Sequence, residues 1–183
     1  MRLRPYIHDK DFDSIKNWMP EERAHAMWCA NIIPYPMEKD GFAEVMSSAF
    51  DRFGDTPFVA ISDAGEIEGF FLYSLNYETN EVLLKFVMVD PAKRGKGLGK
   101  EMLGLAVKYA FEISHADLVH LNVFPENTGA KKCYEGAGFV ERDTTPEAFT
   151  YKDEKWGRTN MAIRKEAKST KCDFLNGFSG YCE

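Results

Sequence analysis

The segment Val87-Met88-Val89-Asp90-Pro91-Ala92-Lys93-Arg94-Gly95-Lys96-Gly97-Leu98-Gly99-Lys100 constrains this chain more than any other stretch. An apolar run that reads as a buried strand enters a basic, glycine-rich turn and passes directly into a helix. That helix is predicted over Leu98 to Ile113, with Leu98, Met102, Leu105, Ala106 and Tyr109 on one side. Exposed N–H groups at a helix start, with the helix dipole behind them, suit a phosphate or pyrophosphate. Glycines let the backbone approach oxygen atoms without a Cβ in the way, and Lys93, Arg94, Lys96 and Lys100 add positive charge. A turn of solvated lysines is the alternative reading of these residues taken alone.

The flanking sequence supplies the rest of a sheet. Strands are predicted at Arg2 to Tyr6, Pro57 to Ser62, Glu66 to Tyr77 and Asn80 to Val89. Asp63-Ala64-Gly65 and the residues around Glu78 to Asn80 are tight turns, so the last three of these strands should run antiparallel. Helices fit at about Asp11 to Trp18, Glu21 to Ala30 and Glu38 to Arg52, broken by Pro20, Pro34 and Pro36. After the helix at Leu98 come a strand at Leu118 to Val123, a short helix at about Thr128 to Glu135, and strands at Phe139 to Thr144 and Thr159 to Arg164. Strand–helix–strand order implies one parallel pair, and the whole implies a mixed sheet with helices on both faces. With 183 residues, 44% of them hydrophobic, one domain is expected over residues 1–165, with 166–183 as a C-terminal appendage without clear period or assigned role.

Net charge is −6, which argues against nucleic acid as a partner. No apolar run approaches the ~20 residues of a membrane span, and Met1-Arg2-Leu3-Arg4-Pro5 leads straight into charged sequence, so a cytoplasmic protein is expected, monomer or homodimer. Cys29, Cys133, Cys172 and Cys182 form no C-x-x-C pair and lack zinc-finger spacing, so no metal is expected.

Two nucleotide motifs fail on the glycine turn. A P-loop needs a hydroxyl after Gly99-Lys100, where Glu101 stands, and its first glycine, where Arg94 stands. The dinucleotide fingerprint needs G-x-G-x-x-G, and here the order is Gly95-x-Gly97-x-Gly99. The segment Arg94-Gly95-Lys96-Gly97-Leu98-Gly99 reads R-x-x-G-x-G, and it resembles the acetyl-CoA-binding motif of the GNAT superfamily of N-acetyltransferases. A second motif agrees: Asn127, Ala130 and Tyr134 fit N-x-x-A-x-x-x-Y, followed by Gly138-Phe139. At i, i+3 and i+7 they share one helix face. There Ala130 leaves room for a thin pantetheine arm, Asn127 offers it hydrogen bonds, and Gly136 and Gly138 turn the chain into the next strand.

The resemblance spans roughly Pro57 to Arg164 and implies an α/β (α+β) single domain. Its sheet would have about seven strands, mostly antiparallel, with a splayed parallel pair at the centre. It implies direct transfer of an acetyl group from acetyl-CoA to an amine in a ternary complex. It further implies a cofactor site of Phe86, Val87, Val89, Arg94, Gly95, Lys96, Gly97, Leu98, Gly99, Lys100, Asn127, Ala130 and Tyr134, in which Tyr134 is the general acid for the leaving thiolate.

Glu81, thirteen residues before Arg94, matches the position of a catalytic glutamate in some members; a solvated strand-end carboxylate is its other reading. His120 is a second candidate base, or a hydrogen-bonded structural residue. Trp18, Trp28, Tyr35, Phe42 and Phe50 read mainly as packing, with some open to lining an acceptor pocket, and Tyr151 to Arg158 with Trp156 could border it. The acceptor would be a small-molecule or peptide amine (a peptide N-terminus or a lysine), with its identity open, and the acidic balance slightly favours a cationic one. A non-catalytic acyl-CoA sensor on the same fold and an unrelated nucleotide-binding α/β protein are the competing readings.

Overall fold

Phe70 and Leu72 point to one side of their strand and Phe71 and Tyr73 to the other, and all four are buried. Such a strand needs a packed layer on each face. In the computed structural model, which describes residues 1–166, both layers are present. The elements are β1 (Arg2–Pro5), α1 (His8–Asn17), α2 (Glu22–Cys29), α3 (Lys39–Phe53), β2 (Thr56–Ile61), β3 (Ile67–Asn76) and β4 (Glu81–Val89). A single 3-10 turn at Pro91–Lys93 leads to α4 (Leu98–Glu112), β5 (Leu118–Val123), α5 (Thr128–Gly136), β6 (Val140–Tyr151) and β7 (Glu154–Arg164). The expected appendage lies outside the described residues apart from its first, Glu166.

The sheet has seven strands in the order β1-β2-β3-β4-β5-β7-β6, and only β4 and β5 run parallel. That is the mixed, mostly antiparallel arrangement expected. One face is covered by α1–α3, where Phe12, Ile15, Phe42 and Met46 pack on Val59, Phe70, Leu72 and Met88. The other is covered by α4 and α5, where Met102, Leu103, Ala106, Ala110 and Tyr134 pack on Phe71, Tyr73, Val82, Leu84 and Leu121. Each such side chain taken from water contributes about 1.5–3 kcal/mol before chain entropy is subtracted. The buried stripe of α4 is rotated from the expected one. Leu103 and Ala110 enter the core, while Tyr109 stays 37% exposed, its ring set against Phe58 and Tyr73.

The C-terminal hairpin differs most from expectation. Tyr151 to Arg158 was expected as a connection; instead β6 and β7 pair from Val140↔Ala162 to Tyr151↔Glu154, so they form one long hairpin. The register shifts between Thr145 and Phe149, and Pro146 sits there. A proline has no N–H to give a ladder, so it is accommodated at an irregularity of an edge strand, which β6 is. The hairpin tip is anchored on α2. Trp156 is 1% exposed and clusters with Tyr151 and Ala26. Arg23 crosses over the Trp156 ring at 5.2 Å and donates to Glu154, its Nη2 lying 2.7 Å from Oε2. Arg23, with Trp156 Nε1 as a second donor, lowers the Glu154 carboxyl to about 2.

Candidate active site

The parallel pairing of β4 with β5 stops at Leu84↔Leu121. Beyond it, Lys85–Val89 keeps β3 on one side and has no strand ladder on the other among the described residues. A one-residue bulge marks the change. Leu72 pairs with Lys85 and Phe70 with Met88, so β4 holds one residue more than β3 across this interval. The facing of side chains inverts through it. Val82 and Leu84 point to the α4–α5 side before the bulge; Val87 and Val89 do so after it, and Phe86 and Met88 point to the α1–α3 side. Phe86 takes φ +52°, a left-handed conformation that costs a non-glycine residue of order 1–3 kcal/mol. Backbone strain therefore sits at the point where the sheet opens.

Below the opening lies the glycine turn. The Asp90 carboxylate accepts from the Ala92 N–H at 2.9 Å and shapes the 3-10 turn. Gly97, at φ +81°, is the residue from which α4 starts, a geometry that favours glycine. The first intrahelical bond of α4 runs from the Glu101 N–H to the Gly97 carbonyl, leaving the N–H groups of Leu98, Gly99 and Lys100 without helical partners. Arg94 and Lys100 line the cavity beside them, whereas Lys96 is exposed and outside the lining. Lys93 contributes less charge than expected, since its ammonium is paired with Glu66 at 2.9 Å and Glu68 at 3.5 Å.

The facing wall is α5. Asn127, Ala130 and Tyr134 line the same cavity, of about 1030 Å³, as Phe86, Val87, Val89, Arg94, Gly95, Gly97, Leu98, Gly99 and Lys100. Asn127 has a duty the spacing did not reveal: it caps α5, its Oδ1 accepting from the Ala130 N–H at 3.2 Å. Tyr134 is 7% exposed, and burial, with the neighbouring Cys133, pushes its phenol above the ordinary value, so it is protonated at neutral pH.

Gly99 serves packing as well as the turn. A Cβ there would lie 2.8 Å from Cys133 Sγ, where α4 meets α5. Gly99→Ala is therefore expected to lower stability by about 1–3 kcal/mol in urea unfolding, and adding Cys133→Ala to recover most of it. Absence of recovery would place the clash elsewhere.

At the other end, α2 and the hairpin close the cavity. Met27 and Trp28 come from α2, Phe124 follows β5, and Ala148, Phe149 and Arg158 come from β6 and β7. Of the five aromatic residues noted in the N-terminal half, Trp28 lines the cavity; Trp18 and Phe42 belong to the core, and Tyr35 and Phe50 are exposed. Arg158 borders the cavity, while Trp156 stands behind it as an anchor. Phe124, Phe149 and Met27 were not singled out from sequence; only their apolar character, shared with core residues, was visible there. Glu81 and His120 are not among the lining residues. They share a sheet face. His120 accepts at Nδ1 from Asn160 Nδ2 when that nitrogen carries no proton, and burial lowers its pKa against the opposing pull of Glu81.

A seven-stranded sheet split between a parallel pair, with a glycine turn at one lip and a tyrosine helix at the other, is the architecture of an acyl-CoA-dependent acetyltransferase. The chain belongs to the acetyltransferase (GNAT) family, whose profile matches residues 13–139. A spermine/spermidine N(1)-acetyltransferase of Bacillus subtilis is 32% identical over 81 residues, 41% of this chain and 53% of that protein, so the chain spans about half the length of that relative. A 5-NmdU N-acetyltransferase of Pseudomonas phage PaMx11 is 25% identical over 152 residues, 83% of this chain and 97% of that one. Among solved structures, spermidine N-acetyltransferase from Vibrio cholerae in complex with CoA and spermine shares the fold, with TM-score 0.76 over 89% of this chain and 94% of that chain at 22% identity.

Proposed function

We propose that this chain transfers an acetyl group from acetyl-CoA to a primary amine, by direct attack of the amine on the thioester while both are bound. Residues 1–165 form the whole catalytic unit in this reading. The observation that carries it is the cavity running from the free N–H groups of Leu98, Gly99 and Lys100, past the open edge of β4, to Tyr134. The helix start, Arg94 and Lys100 receive the diphosphate. The pantetheine arm lies along the unpaired edge of Lys85–Val89 as an added strand would.

The amine nitrogen forms a bond to the carbonyl carbon, and the charge that develops on oxygen is met by backbone N–H groups of Phe86, Val87 or Val89. As the C–S bond breaks, the thiolate takes the Tyr134 proton. The proton lost by the ammonium leaves to water, and the phenolate is reprotonated from the same pool. Glu81, which lies outside the lining, would act on the amine only through such water.

Two measurements test the reading together. Acetyl-CoA with a panel of amines should release free thiol, and CoA at 100 times its Kd should stabilise the protein by about 2.7 kcal/mol while ATP and NAD do not. Protection by CoA without thiol release would make the chain an acyl-CoA-binding sensor. Equal protection by ATP would overturn the CoA site itself.

A further inference from the structure

We propose that the acceptor is a monoamine with an apolar, aromatic body whose far end carries an anionic group, and not a polyamine. This rests on the acetyltransferase reading above and concerns what enters the other mouth of the same cavity. Among the described residues the charged members of its wall are Lys85, Arg94, Lys100, Lys132 and Arg158, and the lining includes no aspartate or glutamate. The net charge of −6 that favoured a cationic acceptor thus lies elsewhere on the molecule. Asp55 is paired with Lys85 at 2.7 Å, Glu154 with Arg23, and Glu22 with Lys152 at 2.7 Å.

What the acceptor end does offer is apolar surface. Trp28 and Phe86 are tilted against each other at 5.7 Å between ring centres, and Phe124 and Phe149 at 5.3 Å, with Met27 also in the lining. A polyamine carries several ammonium groups, and each one desolvated here would meet no carboxylate of the lining and would share the space with the Arg158 guanidinium. An amine on an apolar body has one nitrogen to desolvate. The same surroundings favour its neutral form, which is the nucleophile. This lightens the demand for a dedicated base. Arg158 has no ion pair or side-chain hydrogen bond among the described residues and is exposed at the cavity rim, where it can receive a carboxylate or phosphate. The family profile ends at residue 139, before the hairpin that supplies Phe149 and Arg158.

The test compares kcat/KM for 2-phenylethylamine, 4-(2-aminoethyl)benzoate and spermidine by thiol release, in the wild type and in Arg158→Ala. Both aromatic amines should exceed spermidine by about tenfold or more. Arg158→Ala should cost the benzoate about threefold more than it costs phenylethylamine. Spermidine used as well as the aromatic amines overturns the proposal; an equal loss for both aromatic amines in Arg158→Ala removes the anionic end. Thiol release with none of the three, despite protection by CoA, is instead the failure of the acetyltransferase reading, and this proposal falls with it.

Discussion

Tyr134→Phe is expected to lower kcat for acetyl transfer by about 10²–10⁴-fold, with KM for acetyl-CoA nearly unchanged. The substitution removes one oxygen and leaves the ring, which packs against Phe139 with 6.4 Å between centres and belongs to the α4–α5 core. Cavity shape and diphosphate contacts therefore persist, and the lost interaction is one made as the C–S bond breaks. A free thiol titrates near ~8.5 and a phenol near ~10. Burial raises the phenol of Tyr134 further, so it keeps its proton at neutral pH and has one to donate in the proposed reaction. Steady-state kinetics with acetyl-CoA varied at saturating amine measures the effect. A kcat within threefold of wild type would show that water protonates the thiolate and that Tyr134 only shapes the wall.

Much of this site could be read from sequence because its signals are local. Gly95, Gly97 and Gly99 and the face of Asn127, Ala130 and Tyr134 are each set within one turn or one short helix, and β5 at Leu118–Val123 appears where alternation placed it. The opening of the sheet was expected only through the family resemblance and had no signal in the residue pattern itself. Phe86 and Val87 lie inside an unbroken apolar run, and a bulge is set by how two strands diverge rather than by the residue that occupies it. Pro146 and the charged residues from Glu147 to Glu154 hid the hairpin, which is held by contacts of Tyr151 and Trp156 with Ala26 far away in the chain. Net charge carries little information about the acceptor end, because composition records how many carboxylates there are and not which way they face.

Arg4→Met is expected to destabilise the fold by about 3–5 kcal/mol, which for a domain of this size lowers Tm by on the order of 10 °C. Asp11, at the start of α1, is 0% exposed and accepts from Arg4 Nη1 at 2.6 Å, Arg4 Nη2 at 2.8 Å and the Ile7 N–H at 2.8 Å. Burial by itself would raise the Asp11 carboxyl; the hydrogen bonds from Arg4 and Ile7 and the charge of Arg4 outweigh it and hold the pKa below its ordinary value. A depressed carboxyl contributes stability that is complete above the unfolded pKa of ~3.9 and lost as pH falls through the lower folded value. Methionine keeps the length of the side chain but removes the guanidinium, so Asp11 is left buried with one backbone donor and its pKa rises. The gap between wild type and variant in thermal melts should then be widest at pH 7 and narrow toward pH 4. A loss under 1 kcal/mol at pH 7 would mean that water reaches Asp11 and solvates it.

The two mouths of the cavity differ in origin, although Phe86 and Phe124 from the central stretch reach the one lined by Trp28 and Phe149. Residues between Leu84 and Tyr134 supply the end with the glycine turn, whereas the end lined by Trp28 and Phe149 is assembled from α2 and the β6–β7 hairpin, tied together by Arg23 and Glu154 across a separation of 131 residues. Substitutions in α2 and the hairpin can thus reshape one end without touching the glycine turn or α5. Because α2 and the hairpin grip each other, the two stretches must change in concert, and a graft of either alone between relatives would arrive without its counterpart.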